Sequence, residues 1–257
     1  MLKEKLAAGE TVYGTWVRIP HPSVVEVLAG SGFDFLHIDM EHGVIGIAEL
    51  DHLLLGARAS RIPAVVRVPG LDATRIGGAL DMGAAGVIVP QVDRPEETRL
   101  VVEAAQFHPR GMRGMAGSCR ADGYGSRDHD MFAAESNRDT LLAIQVESRE
   151  AVENLDAILE IAADDLDVIF IGPADLSQSL GAPARFDDSY LQETIRQVTQ
   201  RVRSRGLAVG IHAPTPELAK RFADMGIQYI AFSMDSALLA TGAKTWWKSI
   251  QGRDILS

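Results

Sequence analysis

The sequence predicts a single-domain (β/α)8 (TIM) barrel, and three observations predict it. Eight short β-rich runs alternate with amphipathic helical stretches along the 257 residues. The runs are near-continuous in Val, Ile and Ala, as expected of parallel strands buried on both faces. No strand-to-helix turn carries a Gly-x-Gly-x-x-Gly phosphate fingerprint, which argues against an open doubly wound sheet. The length suits one such domain, residues 1–257, and leaves little for a second.

Taken in order, the expected strands are Tyr13–Val17, Phe33–Asp39, Ala64–Val68, Gly86–Val89, Leu141–Val146, Asp167–Ile171, Ala208–Ile211 and Tyr229–Ser233. The expected helices are Val24–Ala29, Ala48–Ala59, Ala73–Met82, Pro95–Gln106, Ala151–Ala162, Tyr190–Arg205, Pro216–Met225 and Ser236–Trp247. The run from Phe33 is the most informative. It alternates into Asp39 and breaks at a turn that carries Glu41 and His42. One connection is long: Phe107–Thr140, with Gly111-Met-Arg-Gly114 and Gly123-Tyr-Gly125. Connections of that length in compact barrels are usually functional, and it is expected to hang over the C-terminal mouth as a lid.

A net charge of −10 argues against nucleic-acid partners and against anionic membrane surfaces. No apolar run is long enough to span a bilayer. The charged start, Met1-Leu-Lys-Glu-Lys, lacks the apolar core of a signal peptide. Cys119 is the only cysteine, which excludes an intrachain disulfide and fits a reducing, cytoplasmic location.

In barrels of this class, functional groups gather at the C-terminal strand ends. Asp39, His42, Arg67, Glu147 and Asp175 all fall there. The two-residue strand period places His37 and Phe35 in phase with Asp39, Val65 with Arg67, and Gln145 and Ala143 with Glu147. Polar groups converging from independent strands are hard to explain by packing, because buried charge is costly without partners.

Glu147 and Asp175 form the best metal pair. Two carboxylates without cysteine suit a hard divalent cation such as Mg2+, Mn2+ or Co2+, and leave positions for water and a chelating substrate. The opposing reading is a plain salt bridge between Glu147 and Arg67. The Arg67 fork suits a carboxylate or a developing enolate oxygen. Gly172 and Ala174, with Asp175, place backbone amides at a turn where a substrate carboxylate could bind, and Gln145 joins the substrate-binding set. An imidazole such as His42 serves as a general base near neutral pH. His37, within the strand, is expected to be a hydrogen-bonded core residue. Lys3, Lys5, Lys220, Lys244 and Lys248 lie outside the strands, so an imine-forming mechanism lacks its lysine. Metal polarisation of a carbonyl is the alternative.

These residues resemble the HpcH/HpaI family of metal-dependent pyruvate aldolases. The likeness runs from about Gly14 to Leu239. It rests on Phe33-Asp-x-x-x-Ile-Asp-Met-Glu-His42, Val66-Arg67, Ala84-Ala-Gly-Val-Ile-Val-Pro90, Gly111-x-Arg-Gly114, Gln145-Val-Glu147 and Phe170-Ile-Gly-Pro-Ala-Asp-Leu-Ser177. The resemblance implies cleavage of a 4-hydroxy-2-oxo acid to pyruvate and an aldehyde. It implies Glu147 and Asp175 as metal ligands, Arg67 as the enolate stabiliser, His42 as base and Asp39 near the metal's waters. Asp81 matches an aspartate that pairs with the base histidine. From the end of the third helix it reaches a His42 only across a subunit interface. The family implies a homohexamer, a trimer of dimers exchanging their last helix, and the apolar tail with Trp246 and Trp247 is compatible. His212 stands where some relatives have an apolar residue lining the aldehyde pocket, which favours a polar or acidic aldehyde. Arg120, in an individual loop, is expected to meet a distal carboxylate or hydroxyl. The rival functions are a CoA-thioester lyase, an oxaloacetate-type decarboxylase and a non-catalytic metabolite-binding barrel.

Overall fold

The computed structural model describes residues 2–251. Its first element, α1 (Leu2–Ala7), was not expected. Leu2 and Leu6 sit one helical turn apart, so a single short helix buries both and they join the barrel's inner core. β1 (Val12–Val17), α2 (Pro22–Ala29), β2 (Phe35–Asp39), α3 (Ile47–Ala59), β3 (Ala64–Arg67), α4 (Ala73–Asp81), β4 (Gly86–Val89) and α5 (Pro95–Ala105) form the first half. α6 (His129–Asp139), β5 (Leu141–Val146), α7 (Arg149–Glu153), α8 (Leu155–Ala162), β6 (Val168–Ile171), α9 (Pro173–Ser179), α10 (Ser189–Ser204), β7 (Ala208–Ala213), α11 (Pro216–Asp224), β8 (Tyr229–Met234) and α12 (Asp235–Gln251) complete it. The helix expected over Ala151–Ala162 is broken in two at Asn154.

All eight strands pair in parallel in chain order, and β8 closes on β1: a (β/α)8 barrel. The two-residue period sorts side chains into two layers. Phe35, Val65, Ala143, Val168, Phe170 and Tyr229 fill the interior. Leu36, Ile38, Val66, Leu142, Ile144 and Ile169 pack outward beneath the helices. Gly14 is required inside, because a Cβ there would strike the Phe35 ring. His37 is fully buried and hydrogen-bonds the Tyr229 hydroxyl through Nε2.

The long connection is not a lid over its own mouth. It emerges from the C-terminal end of α5, and a crossover helix runs back toward the N-terminal face of the barrel. It packs against α3 and the C-terminal end of α4. Arg120 donates to the Met82 carbonyl (3.1 Å) and pairs with Asp51 (2.5 Å), and the Ala121 amide donates to the Asp81 carbonyl (3.1 Å). The expectation that Arg120 meets substrate at this chain's own mouth is therefore corrected. A connection reaches the C-terminal mouth when it leaves a strand, and this one leaves a helix that has already returned to the other face.

Candidate active site

Register sets the first contact. Asp39 and Arg67, the last residues of β2 and β3, are paired neighbours. Arg67 grips Asp39 with both sides of its fork, Nε to Oδ1 at 2.8 Å and Nη2 to Oδ2 at 2.7 Å. Its Nη1 lies 3.1 Å from Glu41 Oε2 and 3.4 Å from Gln145 Oε1. The guanidinium sits 4.3 Å above the Trp16 ring centroid. Arg67 is 5% exposed and Asp39 fully buried, so each charge depends on the other for compensation. Glu41 and His42 amides add to Asp39 Oδ1, each at 3.2 Å, and Arg18 Nε reaches Oδ2 at 2.7 Å. Burial alone would raise the Asp39 pKa. Hydrogen bonding and charge from Arg67, then Arg18 and the His42 amide, outweigh it and hold it at about 2.

The opposite rim is acidic. Glu147, just beyond β5, is 5% exposed; it accepts from the Gln91 amide (2.9 Å) and from Gln145 Nε2 (2.6 Å). Arg67 is paired with Asp39 and Glu41 instead, so the plain Glu147–Arg67 salt bridge is not what the structure forms. Asp175 follows in the first turn of α9 and lines one cavity with Glu147, Gln91 and Asp93. Burial pushes Glu147 up to about 7, and the neighbouring charges of Asp175 and Glu41 add to this. Burial also raises Glu41, whose Oε2 accepts no well-formed hydrogen bond.

Glu147 makes no ion pair among the described residues, and this cluster of carboxylate oxygens fits a hard divalent metal. Glu147 and Asp175, which line one cavity, are the side chains that would hold it. Among the described residues no group of three or more His, Cys, Asp or Glu converges as a ligand set, so a two-carboxylate site would leave most coordination positions to water and substrate.

A second cavity, of about 190 Å3, opens between these halves. It is lined by His42, Arg67, Gln145, Gly172, Ala174, Asp175 and His212, and also by Trp16, Arg18, Phe170 and Met234. Asp39 lies directly behind it, through Arg67. His42 is half exposed at the rim, its Nε2 3.8 Å from Glu41 Oε2. His212 Nδ1 is 3.0 Å from the Ala231 carbonyl and 3.1 Å from Trp16 Nε1. Burial lowers the His212 pKa to about 4, with the charges of Arg18 and Arg67 assisting. Asp81 is elsewhere: at the end of α4 it pairs with Arg113 (2.5 Å) and does not meet its own chain's His42.

Sequence reasoning missed Trp16, Arg18, Gln91 and Met234, and named Glu41 only as part of the turn. Arg18 carried a readable signal, a cation immediately after a strand end. Gln91 acts through its backbone amide, which no side-chain pattern reveals.

The chain matches the HpcH/HpaI aldolase/citrate lyase family over residues 12–241. It is 40% identical over 237 residues to a 2-keto-3-deoxy-L-rhamnonate aldolase of Klebsiella pneumoniae, covering 92% of this chain and 87% of the relative. It is 34% identical over 244 residues to a hydroxypyruvate/pyruvate aldolase of Roseobacter denitrificans, covering 95% and 94%. A crystal structure of an HpcH/HpaI aldolase/citrate lyase family protein from Burkholderia cenocepacia superposes with a TM-score of 0.91 at 30% identity, covering 97% and 98%. With aldolase relatives aligned over nearly its whole length and charged groups gathered at the mouth of a closed barrel, the chain belongs to the HpcH/HpaI aldolase/citrate lyase family and is a carbon–carbon lyase.

Proposed function

We propose that the chain catalyses reversible aldol cleavage of a 4-hydroxy-2-oxo acid to pyruvate, or a close 2-oxo acid, and an aldehyde, with Glu147 and Asp175 holding a divalent cation. The observation that carries this reading is one small cavity shared by the buried Arg67 guanidinium, the His42 imidazole and Asp175, with Glu147 beside Asp175. When bound, such a cation supplies polarisation of the 2-oxo group and positive charge beside the developing enolate.

The residues do the rest. The amides of Ala174 and Asp175, just after Pro173, receive the substrate carboxylate, and Gln145 orients the head group. His42 takes the proton of the 4-hydroxyl. The oxygen's electrons form the aldehyde carbonyl, the C3–C4 bond breaks, and its electron pair becomes the enolate. Arg67, held still by Asp39, stabilises the enolate oxygen. Protonation at C3 releases pyruvate.

Asp81 belongs to this reading only through a neighbour. α12 exposes Leu239, Trp246, Trp247 and Ile250, a surface that suits burial against another copy. We assign the active form as a homo-oligomer, a hexamer built of dimers, in which Asp81 of one protomer approaches the His42 of another. Among the described residues no helix is long and apolar enough to cross a membrane.

The test is to incubate the protein with pyruvate, Mn2+ and glycolaldehyde or succinic semialdehyde and to look for the adduct. Formation of adduct, its loss on chelation and its return with Mg2+, Mn2+ or Co2+ are expected. Full activity in excess chelator would end the metal assignment. No adduct with any aldehyde would leave the metabolite-binding rival in possession.

A further inference from the structure

We infer that Arg18 is the specificity-determining residue for the distal end of the substrate, and that the aldehyde half carries a carboxylate. The inference rests on the aldolase reading and concerns the part of the cavity that reading leaves unassigned.

Topology places Arg18 first. In the closed order β1 to β8, β5 and β6 lie across the mouth from β1. Glu147 and Asp175 come from β5 and the turn after β6, while Arg18 follows β1. A 2-oxo acid whose head group is held at Glu147 and Asp175 therefore extends its far end toward β7, β8 and β1. The cavity wall there is His212, Met234, Trp16 and Arg18. Within that wall Arg18 is the full charge. Burial keeps His212 neutral, and the other two are an indole and a thioether.

Asp39 does not need Arg18. Its carboxylate already takes two hydrogen bonds from Arg67 and two from backbone amides. Arg18 spends only Nε on it. Nη1 meets a thioether, Met234 Sδ at 3.6 Å, and Nη2 makes no hydrogen bond among the described residues. The Arg18 backbone is held in place from behind. The buried carboxylate of Asp235 accepts the backbone N–H groups of both Arg18 and Ile19 at 2.8 Å. A partly exposed, backbone-anchored arginine that lines a cavity and leaves its terminal nitrogens without an oxygen partner among the described residues is suited to take a carboxylate in bidentate fashion, which an alcohol or alkyl tail cannot match.

The test uses two unreactive acids of equal length, 2-oxohexanedioate and 2-oxohexanoate, titrated calorimetrically into the Mn2+-loaded protein. Wild type should bind the diacid roughly 10- to 100-fold more tightly, as a charge-assisted hydrogen-bonded pair provides. Arg18→Leu should bring the ratio near one, and Arg18→Lys should keep an intermediate preference. In condensation with pyruvate, the same variants should lose the preference for succinic semialdehyde over butanal. Absence of a preference in wild type, or equal weakening of both acids in Arg18→Leu, would overturn the inference and make Arg18 a support for Asp39. Failure to form any adduct alongside an Arg18-dependent diacid preference would sink the aldolase reading and uphold the assignment of Arg18.

Discussion

Arg67 is held on two sides. Asp39 fixes it from the side in a two-point grip, and Trp16 supports its face. A donor held in place by a buried partner needs no reorganisation as negative charge develops. Arg67→Ala is expected to lower kcat by about 10²–10³; near-normal turnover would remove Arg67 from the chemistry. His212 yields a stability prediction. Its folded pKa of about 4 lies below the ordinary histidine value of 6.5, so between these limits the unfolded chain binds the extra proton. The stabilisation is complete above pH 6.5 and is lost as pH falls toward 4, on the order of 3 kcal/mol in all. Relative to wild type, His212→Asn should lose less melting temperature between pH 7 and pH 5; the slope that remains combines His37, whose pKa burial also lowers, with Glu147, whose raised pKa works in the opposite direction. An unchanged slope would show that His212 is not buried neutral. At this scale the strand-end acids, Arg67 and His42 were legible, because polar residues that interrupt apolar runs stand out. Trp16 and Met234 were not, because an apolar side chain lining a site looks like core.

The turn between β6 and α9 shows how an element tunes a side chain that belongs to another. Gly172 lies against the Glu147 carboxylate, and any Cβ there would collide with it. Its backbone φ is unremarkable at −89°, so the requirement is for space rather than conformation. Gly172→Ala is expected to cost about 1–3 kcal/mol by overpacking and to displace Glu147. The melting-temperature gain on adding Mn2+ should shrink correspondingly. An undiminished gain would mean that Glu147 is no ligand. The long connection teaches the complementary lesson. Its length and glycines were legible, but its side of the barrel follows from the polarity of α5, which a strand-based count overlooked. The helix within it, α6, was missed because its polar sequence His129–Asp139 buries only Phe132.

At the scale of the whole molecule, eight strands each deliver a C-terminal end to one mouth, and distance along the chain ceases to matter. Arg18 and Asp235 are neighbours, as are Trp16 and His212. The same closure leaves α12 with an uncovered apolar stripe. Leu239, Trp246 and Ile250 are 67%, 75% and 74% exposed, at spacings that share a helix face. If the stripe joins copies of the chain, as proposed, replacing Trp246 and Ile250 by Asp should lower the mass read by light scattering to that of the protomer, and should depress activity if Asp81 serves a neighbouring site. An unchanged mass would assign the stripe elsewhere. By itself the sequence determined the barrel, which residues share a face in the strands ending at Asp39, Arg67 and Glu147, and the acids and arginine at the strand ends, because hydrophobic period is a local property. Only the tertiary structure decided that Arg67 serves Asp39 rather than Glu147, that Arg18 faces the cavity and that the long connection lies under the barrel. Those outcomes depend on which strands are neighbours and on where buried charges find partners, and neither is written in any one stretch of chain.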